Sequence, residues 1–285
     1  MSPQTAVNPD AWREVGPGIQ VRRYSPFDVT VTIVSGSRKW LLVDTGASVS
    51  VGRTLRDDVA ELDLPTPDPA AIVLTHPHLD HVLGAAAFPT VPVLAHASWE
   101  ARMHRYLELG RAELRELDAA WDGQRQPPPP VDVVVQAGTS LRIGLGHVPG
   151  QVRTQDAAQD GTERASAAWE RLVEITALTR PTDPGHSGAD LVVHVPDADL
   201  LLAGDLVESA GELSSGDAPQ IGPDGSASSW ADALDGLSAL LTPTTTVVPG
   251  HGPPVGSDFV RRQAQALRQK GPGRPVSLST AGGSS

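Results

Sequence analysis

Three histidines and an aspartate fall within six residues of the run Thr75-His76-Pro77-His78-Leu79-Asp80-His81. Imidazole nitrogen is the commonest protein ligand for zinc-type ions, and aspartate adds a harder oxygen donor. His76 and His78 are two apart, so on extended backbone they point the same way. Asp80 and His81 follow, and neighbouring side chains diverge. One loop can therefore serve two metal positions, with His76 and His78 on one side and Asp80 and His81 on the other. The bland alternative is a polar turn between a strand and a helix. Dense clusters of ionisable groups concentrate at metal and catalytic sites, which favours the metal reading.

Three further residues share this context. His186, Asp205 and His251 each adjoin glycine, in Gly185-His186, Gly204-Asp205 and Gly250-His251-Gly252. Glycine lets backbone approach a site closely and adopt positive φ. His186 opens onto a following strand, whereas Asp205 and His251 are each expected to end one. Asp44 follows the strand Trp40–Val43 in Asp44-Thr45-Gly46. It reads as a tight turn with a helix cap, or as an acceptor behind a ligand histidine, and the two are compatible. His76, His78, Asp80, His81, His186, Asp205 and His251 make seven candidate ligands. That number suits two metals sharing one carboxylate.

The elements that must position these groups are legible from period and punctuation. Gly18–Tyr24 and Asp28–Val34 alternate as strands, and Ser35-Gly36-Ser37 turns the second into Trp40–Val43. Val51–Leu62 reads as an amphipathic helix, and Ala71–Leu74 as the buried strand that delivers the histidine loop. Val82–Phe88 is a short helix of small residues, suited to close backbone packing. Val91–His96 is a strand whose Pro92 argues for an edge or a strand start. Ser98–Asp122 is helical and charged, and reads as a cover over the site or as a homo-oligomer contact. Pro127–Pro130 is a stiff spacer, and residues 146–163 form a long functional or disordered loop. Strands follow at Val131–Val135, Thr139–Leu145, Leu172–Leu178, Leu191–Val195, Leu200–Ala203 and Thr245–Val248, with helices at Ala231–Leu241 and Phe259–Lys270. The fold class is α/β, with residues 1–270 as one domain and 271–285 as a disordered tail. Loops carrying His or Asp end strands in both halves, and such loops converge where α/β proteins place their sites.

Composition narrows the partners. The chain has 34 acidic against 22 basic residues and a formal charge of −12. This argues against nucleic acid and against an anionic membrane surface. There is no cysteine, so thiolate ligands, thiolate nucleophiles and disulfides are excluded. The first fourteen residues lack an apolar signal region, and no apolar run is long enough to span a bilayer, so a cytoplasmic location is expected.

The ordered set Asp44-Thr45-Gly46, Thr75–His81, Gly185-His186-Ser187, Ala203-Gly204-Asp205 and Pro249-Gly250-His251-Gly252 resembles the metallo-β-lactamase-fold hydrolase superfamily over about residues 18 to 265. The resemblance implies an αββα four-layer sandwich with a dinuclear site at one edge. It places His76, His78 and His186 on one metal and Asp80, His81 and His251 on the other, with Asp205 bridging. It implies a metallohydrolase in which two divalent ions share a water of lowered pKa, with Asp80 and Asp205 in catalytic roles. Zinc is the expected ion, with manganese or iron(II) as alternatives. The implied substrate is a small-molecule ester, thioester, lactone or amide. β-Lactamases of the cysteine-containing subclasses do not fit, for want of cysteine. Another subclass lacks the bridging carboxylate, and no lysine lies between Lys39 and Lys270 to anchor a β-lactam carboxylate. A thioesterase resembling glyoxalase II shares the ligands but adds a helical domain, and here residues 252–285 alone follow the last ligand. Lactonases of the family use a tyrosine near the site, for which Tyr24 and Tyr106 are the two candidates. A mononuclear iron persulfide dioxygenase is the alternative from a different class.

Overall fold

The computed structural model describes residues 11–104, 129–147, 170–180, 182–211 and 217–270. The strands are β1 (Arg13–Gly16), β2 (Ile19–Tyr24), β3 (Val29–Ser35), β4 (Trp40–Val43), β5 (Ala71–Val73), β6 (Val93–His96), β7 (Val133–Val135), β8 (Ser140–His147), β9 (Glu170–Ala177), β10 (Leu191–Val195), β11 (Leu200–Glu208), β12 (Thr246–His251) and β13 (Val255–Gly256). The helices are α1 (Val49–Ala60), α2 (Leu79–Val82), α3 (Ala227–Leu237) and α4 (Ser257–Lys270), and a 3₁₀ turn at Leu83–Ala87 continues α2.

Alternation along the strands sets the layers. On β4, Trp40 and Leu42 enter one apolar cluster with Leu55 and Val59 of α1, while Leu41 and Val43 enter a second. That second cluster is lined from both halves of the chain, by Ile19, Val34, Val73 and Leu94 and by Val173, Leu191, Val193 and Leu202. The outward faces of β10 and β11, with Val192, Leu201 and Ala203, pack on Trp230, Leu234, Phe259 and Leu267 of α3 and α4. Three apolar layers thus separate helix, sheet, sheet and helix, which is an αββα sandwich. Strands buried on both faces read as continuous apolar runs rather than as polar–apolar alternation.

Strand order runs β7-β6-β5-β4-β3-β12-β11-β10-β9-β8, with β2 and β1 extending from β3 and β13 from β12. The two halves meet at β3 and β12 through one pair, Val29 with His251. The junction therefore contains a candidate ligand. Arg171, fully buried, ties the halves a second time: its guanidinium donates to Ser35 O at 2.8 Å and to Asp197 Oδ2 at 2.8 and 3.0 Å.

The structure follows the sequence expectation closely, with some differences. Pro92 lies just before β6, which pairs on both sides with β5 and β7, so the proline marks a strand start and not an edge. The small-residue helix packs as tightly as expected: a Cβ on Gly84 would run into Thr45 O, and one on Gly52 into Gly84 O. β11 does not stop at Asp205 but continues to Glu208. Gly204 takes φ +52°, and a register irregularity follows it before pairing resumes at Glu208 opposite His251. Residues 99–104 are helical. The rest of the expected helix 98–122, almost all of loop 146–163, Pro127, Pro128, Tyr106 and the tail 271–285 lie outside the described residues.

Candidate metal centre

The histidine loop leaves β5 under tight backbone control. Leu74 N donates to Leu94 O at 2.9 Å, and Leu191 N donates to Thr75 O at 2.7 Å. His78 keeps an extended conformation (φ −68°, ψ 140°), and α2 begins at the next residue. This break turns the loop, so that His76 and His78 fall on one side and Asp80 and His81 on the other.

The structure brings all seven candidate ligands together. His76, His78, His186 and Asp205 form one group and Asp80, His81 and His251 a second, with donor atoms in each group within 4.8 Å of one another. Asp205 reaches both. Its Oδ2 lies 3.4 Å from His76 Nε2, 3.9 Å from His186 Nε2, 4.0 Å from His78 Nδ1 and 3.4 Å from His251 Nε2. Its Oδ1 lies 3.2 Å from His81 Nε2. Asp80 Oδ2 is 3.4 Å from His251 Nε2 and 3.6 Å from His81 Nε2. Close packing makes room for this, since a Cβ on Gly250 would run into Asp205 Oδ1.

His76, His81, His186 and His251 are each oriented by a hydrogen bond on the other nitrogen. Asp44 Oδ2 accepts from His81 Nδ1 at 2.9 Å, the role expected of that aspartate. Its carboxylate also accepts from Thr75 N and Thr75 Oγ1, both at 2.8 Å. With its proton given to Asp44, the Thr75 hydroxyl is left to accept from His76 Nδ1 at 2.9 Å. His251 Nδ1 donates to Phe27 O at 2.8 Å. His186 Nδ1 donates to Asp190 Oδ1 at 3.2 Å, and Asp190 is itself held by Ser187 and Thr179. His78 Nε2 lies 3.5 Å from Asp224 Oδ2. These acceptors leave Nε2 of His76, His81, His186 and His251 aimed into the cluster, and His78 turns its Nδ1 toward Asp205.

The sequence reading missed Asp190, Asp224 and Phe27. Asp190 closes the His-Ser-Gly-Ala-Asp turn four residues after His186, a short-range signal that was available. Asp224 comes from a glycine-rich loop with no motif of its own. Phe27 contributes only a carbonyl, which no side-chain pattern announces. Trp230 is fully buried, donates to Leu206 O at 2.9 Å and sets its ring 4.9 Å from that of His186. Trp121 and Trp169 lie outside the described residues. Arg102, on the charged helix, is buried, its guanidinium packed against Gly188. His96, on the last residue of β6, approaches Thr179 O at 2.9 Å and caps Ser98 N at 3.0 Å. Tyr24 is in the core with its hydroxyl donating to Asp58, away from the cluster. His194 lies in a strand near Glu174, and His147 N bonds Ser37 Oγ.

The electrostatics are those of a site organised for cations. Burial pushes His76 down to about 3 despite the opposing charge of Asp205. Burial also disfavours charge on His251, yet Asp205 and Asp80 overcome it and raise His251 to about 12. His81 is likewise raised well above its ordinary value against burial by Asp205, Asp80 and Asp44. Burial would raise Asp80 and Asp205, but the neighbouring imidazoles hold both well below the usual carboxylate range. His76 Nε2 and Asp205 Oδ1 are buried without a hydrogen-bond partner. Unpartnered buried polar atoms are costly, and divalent cations would satisfy these two together. Five nitrogens and two carboxylates, with no sulfur, fit a divalent metal of the zinc type.

Comparison with known proteins agrees with this geometry. The family model described as Metallo-beta-lactamase superfamily matches residues 24–251. This chain belongs to the metallo-beta-lactamase superfamily. The match spans every cluster residue from Asp44 to His251. Solved structures of the same fold include metallo-β-lactamases from Hirschia baltica (17% identity, TM-score 0.60, covering 91% of this chain and 98% of that one) and from Erythrobacter litoralis with β-mercaptoethanol in its active site (16%, 0.59, 90% and 96%). The metallo-β-lactamase FIM-1 from Pseudomonas aeruginosa, in its mono-zinc form, is also similar (16%, 0.58, 94% and 98%). No curated protein matches the sequence. At these identities the structural likeness establishes the fold, and within the superfamily the candidate His/Asp metal site supports a metal-dependent hydrolase. Among the described residues no helix is long and apolar enough to cross a membrane.

Proposed function

We propose that this chain is a dinuclear metallohydrolase that cleaves a small-molecule ester, thioester, lactone or amide. Two divalent ions, with zinc preferred, would be held by His76, His78 and His186 and by Asp80, His81 and His251, with Asp205 between them. Bound there, they would supply Lewis acidity and lower the pKa of a shared water toward neutrality. The chain's own residues do the rest. Asp44, Thr75, Asp190 and the Phe27 carbonyl fix which nitrogen of His81, His76, His186 and His251 faces inward. Asp80, its Oδ2 3.4 Å from His251 Nε2, would complete the second group as its oxygen ligand.

The observation that carries this reading is the completeness of the second group. A mononuclear iron oxygenase needs only two histidines and a carboxylate with open positions. Here Asp80, His81 and His251 form a further cluster with its own supporting acceptors, Asp44 and Phe27 O. The test is hydrolysis of a panel of lactones, thioesters, esters and β-lactams by zinc-replete wild type and by Asp205→Ala. Turnover of one class, lost by at least about a thousandfold in Asp205→Ala with an unchanged far-ultraviolet spectrum, is expected. Full activity in metal-replete Asp205→Ala would remove the bridging role.

A further inference from the structure

Glu208 is a carboxylate beside the cluster that neither the ligand set nor the acceptors behind it explain. It stands level with His251 across the parallel β11–β12 pair. Residues level with one another on adjacent strands project to the same face of a sheet. His251 directs its ring into the cluster, so the Glu208 side chain leaves the sheet on that side as well. The backbone there is held firmly. Gln263 of α4, fully buried, accepts from Glu208 N at 3.3 Å and donates to Glu208 O at 2.8 Å. Ser209 N donates to His251 O at 3.0 Å. Burial and the charge of Asp205 together push the Glu208 carboxyl up to about 8, with His251, His78 and His81 acting in the opposite sense. The group therefore senses both halves of the cluster.

The charge around the site points one way. Asp80 and Asp205 lie in the cluster, and Asp44, Asp190 and Asp224 stand behind His81, His186 and His78. With Glu208 these are six carboxyl groups, against the four positive charges that two divalent ions would bring, which favour the ionised form of Glu208, and the one on the buried Arg102 guanidinium beside Gly188. Of the two lysines of the chain, Lys39 lies in the turn before β4 and the Lys270 ammonium donates to Pro219 O. A loaded site of this composition keeps surplus negative charge. A free carboxylate on a substrate is repelled by it, and a cation or hydrogen-bond donor is attracted.

We propose that Glu208 is a specificity-determining residue that receives an amine or other hydrogen-bond-donating group of the substrate, so that the site takes neutral or cationic substrates in preference to carboxylate-bearing ones. This rests on the dinuclear reading of the same site. The test uses the full chain loaded with cobalt(II) and three small thiols: cysteamine, 2-mercaptoethanol and 3-mercaptopropionate. The sulfur-to-cobalt absorption band reports binding without any turnover, and affinities are expressed per thiolate. Wild type is expected to favour cysteamine over 3-mercaptopropionate by about tenfold or more, one charge–charge interaction at a partly screened site. Glu208→Gln is expected to bring that ratio toward one, and Glu208→Asp to restore it. Equal affinity of wild type for the two charged thiols overturns the inference without recourse to any variant. A preference that survives Glu208→Gln assigns it to other residues and overturns it too. Fewer than two cobalt ions bound per chain would bring down the dinuclear reading itself, whereas two bound ions with no band for any thiol would overturn this inference alone.

Discussion

Asp44→Asn tests whether the acceptors behind the rings govern metal binding. Asp44 is buried and sits at φ 58°, a left-handed conformation that asparagine tolerates as well as aspartate does, so the backbone is not perturbed. One carboxylate oxygen becomes an NH2 donor. If the amide oxygen keeps the bond from Thr75 N, the NH2 faces Thr75 Oγ1 and His81 Nδ1, which lie 2.8 and 2.9 Å from the present Oδ2. His81 Nδ1 must then accept, and its proton moves to Nε2, the atom aimed at Asp205 and His251. The fold loses one charge-assisted bond, worth about 2 kcal/mol. Affinity at the Asp80–His81–His251 group falls by roughly ten- to a hundredfold, the usual effect of removing such a partner. Thr75 Oγ1, now facing a donor, turns its proton to His76 Nδ1, so the His76 group is weakened through the same relay, less than the His81 group because His78, His186 and Asp205 are untouched. The assay is competitive titration with a chromophoric chelator, alongside urea unfolding in excess EDTA. Two ions bound with wild-type affinities would refute the reasoning.

Further outcomes follow from the same physics. In metal-free protein, the raised pKa of His251, about 12 against 6.5 unfolded, contributes stability that is full below about pH 6.5 and is lost as the pH rises toward 12. Glu208, raised from 4.5 to about 8, acts in the same sense between those values. Metal-free protein should therefore be less stable to urea at pH 9 than at pH 6.5, and no difference would contradict the assignment. Metal binding at pH 7 should release about three protons, from His81, His251 and Glu208, measured calorimetrically in buffers of different ionisation enthalpy. Gly84→Ala should destabilise by about 3 kcal/mol, because its Cβ meets Thr45 O where backbone cannot yield. An unchanged unfolding midpoint would show that the α1–α2 contact is looser than the structure has it.

Much of this was legible in the chain because the chemistry and the fold share one signal. Ala71–Leu74 reads as a buried strand, and the polar residues that follow have no other use than a site. Gly204 and Gly250 mark close approach from sequence alone, and they stand against Thr75 and the cluster carboxylate of Asp205. Legibility fails where positions are set by contacts distant in sequence. Asp224 reaches His78 from 146 positions away, and Phe27 serves His251 through a carbonyl. The extension of β11 past Asp205 depends on a register irregularity that the apolar pattern does not encode. Arg102 looks solvated on a charged helix, yet its guanidinium is covered by Gly188, a neighbour no helical period reveals.

The central claim is that seven residues hold two divalent ions. Metal content by plasma mass spectrometry, on protein purified without added metal and again after zinc loading and desalting, tests it most directly. About two zinc or manganese ions per chain are expected, falling to one or fewer in Asp205→Ala. About one iron per chain that zinc cannot supplement, or no metal under any loading condition, would contradict the account.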